Sequence, residues 1–225
     1  MREPETIWRI KDPIRLQGER RRAEITVRIL KPQRSELILD VGCGEGYQTS
    51  HFVGHGASII GVDISQDRLK EAKEKVACVD FVCASSERLP FKNQVFDKVT
   101  CLELLEHLWV PSQTIREIKI VLKERGTCII SVPYRQIILT TRCIHCGRQT
   151  PLWGHLHMFD EHRLVSLLPN IFTLIRSIRI CSPPSCLPVF DFLPTGLWRL
   201  LDRLAGSLPY TKPSWFISEI KKESK

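Results

Sequence analysis

The stretch LILDVGCGEG, residues 37–46, decides how the rest of the chain is read. Leu37, Ile38, Leu39 and Val41 around one acid give a short buried strand. Glycines at the alternate positions 42, 44 and 46 then give a turn that few other residues fit. A helix is expected to start at Tyr47, with its first N–H groups turned toward a carboxylate or a phosphate. The stretch is therefore either a cradle for a small molecule or a tight β–α turn with no ligand. Dinucleotide-binding turns place the third glycine three residues past the second. Here it follows after two.

Outward from this turn the chain alternates. Residues 51–56 suit a short helix with a glycine stop, 58–62 a strand ending at Asp63, and 66–76 a helix capped by Ser65. Strands follow at 80–83 and 96–101, a helix at 112–124 and a strand at 127–132. Strands alternating with helices in this way predict a doubly wound parallel sheet with right-handed crossovers. Before the turn, residues 18–30 suit a basic helix ending ahead of Pro32. Beyond it, a helix capped by Asp160 runs to 168, a β-type stretch covers 172–180, and WFISEI at 215–220 makes a last strand.

Asp40, the G-x-G-x-G spacing and Asp63 at the end of the second strand together resemble the class I S-adenosylmethionine-dependent methyltransferases, in particular those of type 11. The resemblance runs in motif order from residue 37 to residue 132. It implies a Rossmann-like α/β fold: a seven-stranded, mostly parallel sheet with an antiparallel C-terminal hairpin and helices on both faces. It implies S-adenosyl-L-methionine as cofactor, held by Asp40, Gly42, Gly44, Gly46, Asp63, Ile64, Ser85, Ser86 and Leu102. Asp63 would take the ribose hydroxyls, its alternative role being a second helix cap. In ASSERLPF, residues 84–91, Ser85 stands where the family has an aspartate on the adenine amino group. A serine hydroxyl can accept the same bond without charge, or share it with Ser86 and a backbone amide.

Methyl transfer needs the acceptor atom about 3 Å from the methyl group, and a base where the acceptor must lose a proton. Residues 103–107, ELLEH, follow the fourth strand and offer Glu103, Glu106 and His107. His107 is the candidate catalytic base, unless Glu106 caps the turn and His107 packs on Trp109. The string is also similar to the metal site of small-RNA 2′-O-methyltransferases and ubiquinone-pathway O-methyltransferases. By that resemblance Glu103, Glu106 and His107 would hold a divalent ion, with His155 or His157 as a further ligand. A separate constellation, Cys143-x-x-Cys146-Gly147 and then His155-x-His157, has the residue types of a tetrahedral zinc knuckle. His145 or His162 could replace one histidine, and free thiols in a loop are the alternative.

The 225 residues suit one methyltransferase domain: a basic helical arm at 1–35, a cofactor-binding core at 36–133, a Cys/His loop at 134–160 and a proline-rich insertion or lid at 181–213. The net charge is +8, and residues 1–34 hold ten Lys/Arg against five Asp/Glu. That arm is either a solvated face or a surface for RNA or acidic lipid. Nine cysteines without a signal-like apolar run point to a reducing, cytoplasmic setting. Residues 197–208 put Leu197, Leu200, Leu201, Leu204 and Leu208 on one face, as a lid helix or an interfacial one touching a membrane. The expected acceptor is a small or lipid-like molecule methylated on oxygen, less readily on nitrogen or carbon. RNA is the alternative acceptor, and a non-catalytic binding module the alternative to an enzyme.

Overall fold

The structure, a computed structural model, describes residues 13–181 and 213–224. The proline-rich insertion and the 197–208 helix lie outside them, as does the start of the basic arm. In chain order the elements are α1 (Pro13–Leu30), β1 (Leu37–Val41), α2 (Tyr47–Ser50), β2 (Ser58–Asp63), α3 (Gln66–Lys75), β3 (Asp80–Cys83) and β4 (Phe96–Leu102). There follow a 3₁₀ turn (Leu105–His107), α4 (Pro111–Val121), β5 (Leu122–Pro133), β6 (Thr140–Arg142), β7 (Gln149–Pro151), α5 (Glu161–Leu167), β8 (Phe172–Cys181) and β9 (Pro213–Lys222).

Seven strands form one sheet in the order β3-β2-β1-β4-β5-β9-β8, with β6 and β7 apart as a small hairpin. Strands β1 to β5 are parallel, while β9 runs antiparallel between β5 and β8. The sheet is buried on both faces, which is why its strands read as near-continuous apolar runs. On one face Leu39, Val41, Val99 and Ile130 pack with Ile115 and Ile118 of α4 and Leu164 of α5. On the other, Ile38, Ile59 and Ile129 pack with Ile29 and Leu30 of α1 and Phe52 after α2.

Two local expectations are corrected, and one crossover departs from the alternation of strands and helices. The first helix after the glycine turn occupies Tyr47–Ser50, and residues 51–56 are turns, so its start was read rightly and its body was not. The crossover from β3 to β4 has no helix; it is a loop held by side chains, with Glu117 of α4 accepting the Leu89 N–H at 2.9 Å. Helix α4 ends at Val121 and the chain passes straight into β5. Lys222 of β9 explains this abrupt join. Its ammonium donates to the carbonyls of Lys119 and Leu122 at 2.8 and 2.6 Å, satisfying the end of the helix from outside it.

Two arginines of the basic arm leave the solvated face, while Arg20, Arg28, Lys31 and Arg34 stay exposed on it. Arg21 and Arg22 are buried, and Arg22 lies 5.2 Å from the Trp215 ring. Its guanidinium reaches Glu103 at 3.1 Å and pairs with Glu19. Burial works against that charge, and Glu103, Glu19 and Glu106 more than offset it, leaving the Arg22 pKa raised.

At the opposite end of the sheet, Asp97 accepts the Leu37 N–H at 2.9 Å and the Lys123 ammonium at 2.7 Å. Burial pushes its pKa up, but those donors pull harder and leave it below the ordinary carboxylate value. A lowered folded pKa means that the unfolded chain takes up the proton first. The stability Asp97 adds is present above the unfolded value of about 4 and is lost as pH falls through the folded one. Asp97→Asn is expected to flatten the acid limb of a stability–pH curve from urea melts. An unchanged slope would deny the pairing.

Candidate functional site

The parallel strands end on one side of the sheet, and a cavity of about 230 Å³ opens there. Its wall is built by the chain leaving each of four neighbouring strands. Ala84 to Glu87 follow β3, Asp63 and Ile64 close β2, Gly42 follows β1, and Leu104 and His107 to Trp109 follow β4. This is the crevice at the carboxyl ends of the strands where open α/β sheets bind ligands.

Gly42, Gly44 and Gly46 all have positive φ, at 76°, 55° and 80°. At Gly42 the requirement is steric as well, since a Cβ there would lie 2.8 Å from Leu104 Cδ2. The turn is fastened to β2: Gly42 and Cys43 N–H both donate to the Val62 carbonyl, at 2.7 and 3.0 Å. Asp63 accepts Gly44 N–H at 2.9 Å on one oxygen and Ser65 N–H at 2.9 Å on the other. Each oxygen keeps a lone pair for a ligand, and backbone amides hold the carboxylate on the pocket wall. Ser65 does cap α3, accepting the Arg68 N–H, and Asp160 caps α5.

Of the other residues expected at the cofactor, Ile64, Ser85 and Ser86 line the cavity, Ile64 largely exposed. Gly44 and Gly46 shape the turn behind it. Asp40 does not line it. It is 2% exposed, and its carboxylate accepts Thr49 Oγ1 at 2.6 Å and Thr100 Oγ1 at 2.7 Å, which ties β1 to α2 and β4. Burial raises its pKa against the pull of the two hydroxyls. Leu102 is turned into the core with Ile29 and Leu30, and Leu104 takes its place on the wall. Leu104, Leu108, Trp109 and Glu87 are wall residues that the motif did not announce. Two residues along a strand share a face, so Leu104 could have been read from Leu102 only had Glu103 not adopted φ 52° and turned the chain.

His107 stands on the cavity's edge in the 3₁₀ turn. Its Nδ1 lies 3.2 Å from the Gly154 carbonyl, which assigns the proton to Nδ1 and leaves Nε2 as the acceptor. His155 is arranged the same way, with Nδ1 2.7 Å from Gln136 Oε1. The two rings meet edge to face at 4.7 Å. Burial lowers both pKa values, helped at His155 by His107 and at His107 by Arg68, so both imidazoles are neutral at neutral pH. His155 is brought there by the chain itself, because Leu156 and His157 N–H donate to the Glu106 carbonyl at 2.6 and 3.3 Å.

Glu106 is 1% exposed, and neither carboxylate oxygen has a hydrogen-bond partner among the described residues. Burial, then Glu103, pushes its pKa well above the usual range, against the pull of its own backbone N–H and then of Arg22. Its Oε1 is 4.0 Å from His107 Nε2. Glu106, His107 and His155 each offer a ligand atom within 4.8 Å of the others'. Glu103 does not join them: it accepts Ser131 Oγ at 2.9 Å and faces Arg22. The carboxylate-metal set is thereby corrected at Glu103 alone: Glu106 and His107 stay together, and of the two further histidines expected it is His155 that joins them.

The zinc knuckle of Cys143, Cys146, His155 and His157 is not assembled. The two cysteines sit at the tip of the β6–β7 hairpin, where Cys143 N–H bonds the Arg148 carbonyl. Among the described residues no third His, Cys, Asp or Glu ligand atom joins them. His155 is at Glu106, and both nitrogens of His157 are taken, by the Leu108 carbonyl at 2.8 Å and Arg163 Nη2 at 2.9 Å.

Residues 39–130 match the family model described as a methyltransferase domain. Ubiquinone biosynthesis O-methyltransferase of Coxiella burnetii is 35% identical over 102 residues, 44% of each chain. A Mycobacterium tuberculosis protein described as an S-adenosylmethionine-dependent methyltransferase is 27% identical over 150 residues, 66% of this chain and 53% of its own. The chain thus spans about half the length of these curated relatives. Among solved structures, a Burkholderia thailandensis N1-methyltransferase with bound S-adenosylhomocysteine superimposes with TM-score 0.60 at 19% identity, covering 97% of this chain and 81% of its own. The [4+2]-cyclase SpnF superimposes with TM-score 0.68 at 18% identity, over 92% of this chain and 82% of its own. At such identity the likeness concerns the fold alone, and the fold serves more than one reaction.

Proposed function

We propose that this chain, whose residues 39–130 carry the methyltransferase domain of the class I S-adenosylmethionine-dependent enzymes, methylates an oxygen of a small or lipid-like acceptor. The observation that carries the reading is the juxtaposition of two features on one cavity edge. One is the Gly42 turn with Asp63; the other is the Glu106, His107 and His155 cluster. S-adenosylmethionine fits the first: a side chain at Gly42 would close the cradle, and Asp63 presents a carboxylate suited to a pair of ribose hydroxyls. Bound there, it supplies an electrophilic methyl group on a sulfonium whose charge is dispersed during transfer.

The residues around it do the rest. Leu104, Leu108 and Trp109 give the acceptor an apolar approach and exclude water from the transfer line. Trp109 is 82% exposed at the mouth, which suits a flat or greasy acceptor. His107 Nε2 is unprotonated and can take the proton of an acceptor hydroxyl. A divalent cation fits the cluster, since a buried carboxylate beside two neutral imidazoles is a typical ligand set; held by Glu106, His107 and His155, it would occupy His107 Nε2 and supply Lewis acidity toward that hydroxyl in place of the imidazole base. The similarity to ubiquinone biosynthesis O-methyltransferase supports oxygen as the acceptor atom. The burial of Arg21 and Arg22 takes two of the arm's ten basic residues out of any RNA surface.

Calorimetry with S-adenosylhomocysteine tests the cofactor, and transfer from labelled S-adenosylmethionine into extract fractions of RNA, protein, lipid and small molecules tests the acceptor. Label in the lipid or small-molecule fractions is expected; label confined to RNA would overturn the acceptor reading. Metal analysis after loading with manganese should show about one ion per chain, lost in His155→Ala and retained in Cys143→Ser. The reverse pattern would put the metal at the hairpin.

A further inference from the structure

From residue 134 to residue 159 the chain holds no Asp or Glu, against three arginines and three histidines. Much of this segment is the β6–β7 hairpin and its root. Two backbone bonds close the tip: Cys143 N–H donates to the Arg148 carbonyl and Gly147 N–H to the Cys143 carbonyl, both at 2.8 Å. Ile144 is held outside that closed turn, 93% exposed. Behind it Leu152 N–H donates to the Leu139 carbonyl at 2.8 Å, which sets two half-exposed leucines across from one another. Near them in the chain, Ile137 and Trp153 are 74% and 54% exposed. Arg142 and Arg148 are exposed on the two sides of the tip, with no ion pair among the described residues.

Exposed apolar side chains gathered on one element mark a docking face. The chemistry of the hairpin chooses among the occupants. RNA gains little from isoleucine and leucine, which offer no ring to stack on and no hydrogen bond. A second copy docked by two-fold symmetry would set Arg142 and Arg148 against the same arginines, like charge on like. An anionic bilayer answers both halves of the surface. Its acyl boundary takes the apolar side chains, and its headgroups take the arginines.

We propose that the β6–β7 hairpin docks the chain on an anionic lipid bilayer, with Ile144 inserted at the tip and Arg142 and Arg148 on the headgroups. The root of the hairpin decides what then faces the membrane. The Gly154 carbonyl accepts His107 Nδ1 at 3.2 Å, and His157 Nε2 donates to the Leu108 carbonyl at 2.8 Å. The exposed Trp109 at the cavity mouth therefore stands at the foot of the hairpin. Docking brings that mouth to the bilayer, whatever acceptor the cavity takes.

The test is co-sedimentation of the full chain with vesicles of phosphatidylcholine alone and of phosphatidylcholine mixed with phosphatidylglycerol, with thermal melts to confirm that each variant is folded. Binding is expected on the mixed vesicles and should fall steeply with salt. Arg142→Glu with Arg148→Glu should weaken it on the order of 30-fold, at about fivefold for each arginine withdrawn from the headgroups. The same reversal at Arg28 and Arg34, exposed on the basic arm, should cost less than about threefold. Ile144→Asp should cost about tenfold, while Ile144→Trp should bind and have its fluorescence quenched by bromine-labelled lipid. Equal binding to the neutral vesicles, or binding that survives the hairpin variants and is lost in Leu200→Glu, overturns the proposal. So does a natural chain that binds neither vesicle. A dimer that Ile144→Asp splits without changing vesicle binding would give the face to a second copy instead.

Discussion

Asp63→Ala is expected to weaken S-adenosylhomocysteine binding by two to three orders of magnitude while leaving the sheet folded. Two losses combine. The first is the pair of charge-assisted bonds to the ribose, at about 1.5 to 3 kcal/mol each. The second is the fastening of the glycine turn, because Gly44 N–H and Ser65 N–H lose the acceptor that holds them. Asp63→Asn keeps one carbonyl oxygen and should sit between the two, near tenfold. Calorimetry reads the affinities, and far-ultraviolet circular dichroism confirms the fold. An alanine variant that binds within threefold of the natural chain would mean that the carboxylate serves only as a backbone fastener.

The second large effect has two opposed signs in one protein. Glu106→Leu should abolish methyl transfer and make the chain more stable. The natural carboxyl is buried with both oxygens unpartnered among the described residues, an arrangement that costs about 1 to 3 kcal/mol against an apolar residue of similar size. Relieving it should raise the melting temperature by several degrees in a chain of this length, at roughly 2–4 °C per kcal/mol. Stability given up at one residue is characteristic of a working site. A leucine variant that melts lower would show that the carboxyl is engaged in the fold, and Glu106 would then lose its place in the chemistry.

Most of the cofactor half was legible because its signals are local. A glycine turn, an acid closing the next strand and a serine cap each declare themselves within a few residues, and Gly42, Asp63 and Ser65 stand where those signals put them. Asp40 shows where local reading misleads. An acid two residues before a glycine turn can face a ligand or brace the turn from behind, and only Thr100, sixty residues away, reveals the bracing. The arm misled for the same reason. Arg22 reads as surface charge because Glu103 and Trp215, which cover it, are remote in sequence, whereas Arg20, Arg28 and Arg34 are exposed as their composition suggests. His155 was one of two candidates until the Glu106 carbonyl fixed the path of residues 156 and 157. The cysteine pair carried a strong local pattern, and that no further ligand among the described residues reaches it is a long-range fact.

The position of β9 inside the sheet has a consequence for how the protein is made. Among the described residues strand β8 pairs only with β9, yet it leaves the ribosome first. Until β9 emerges and inserts against β5, β8 has no partner in the sheet, and an unpaired strand of ten residues is open to pairing with another chain. A stall placed before β9 should leave the β8 amides exchanging freely with solvent, while those of β1 are already protected.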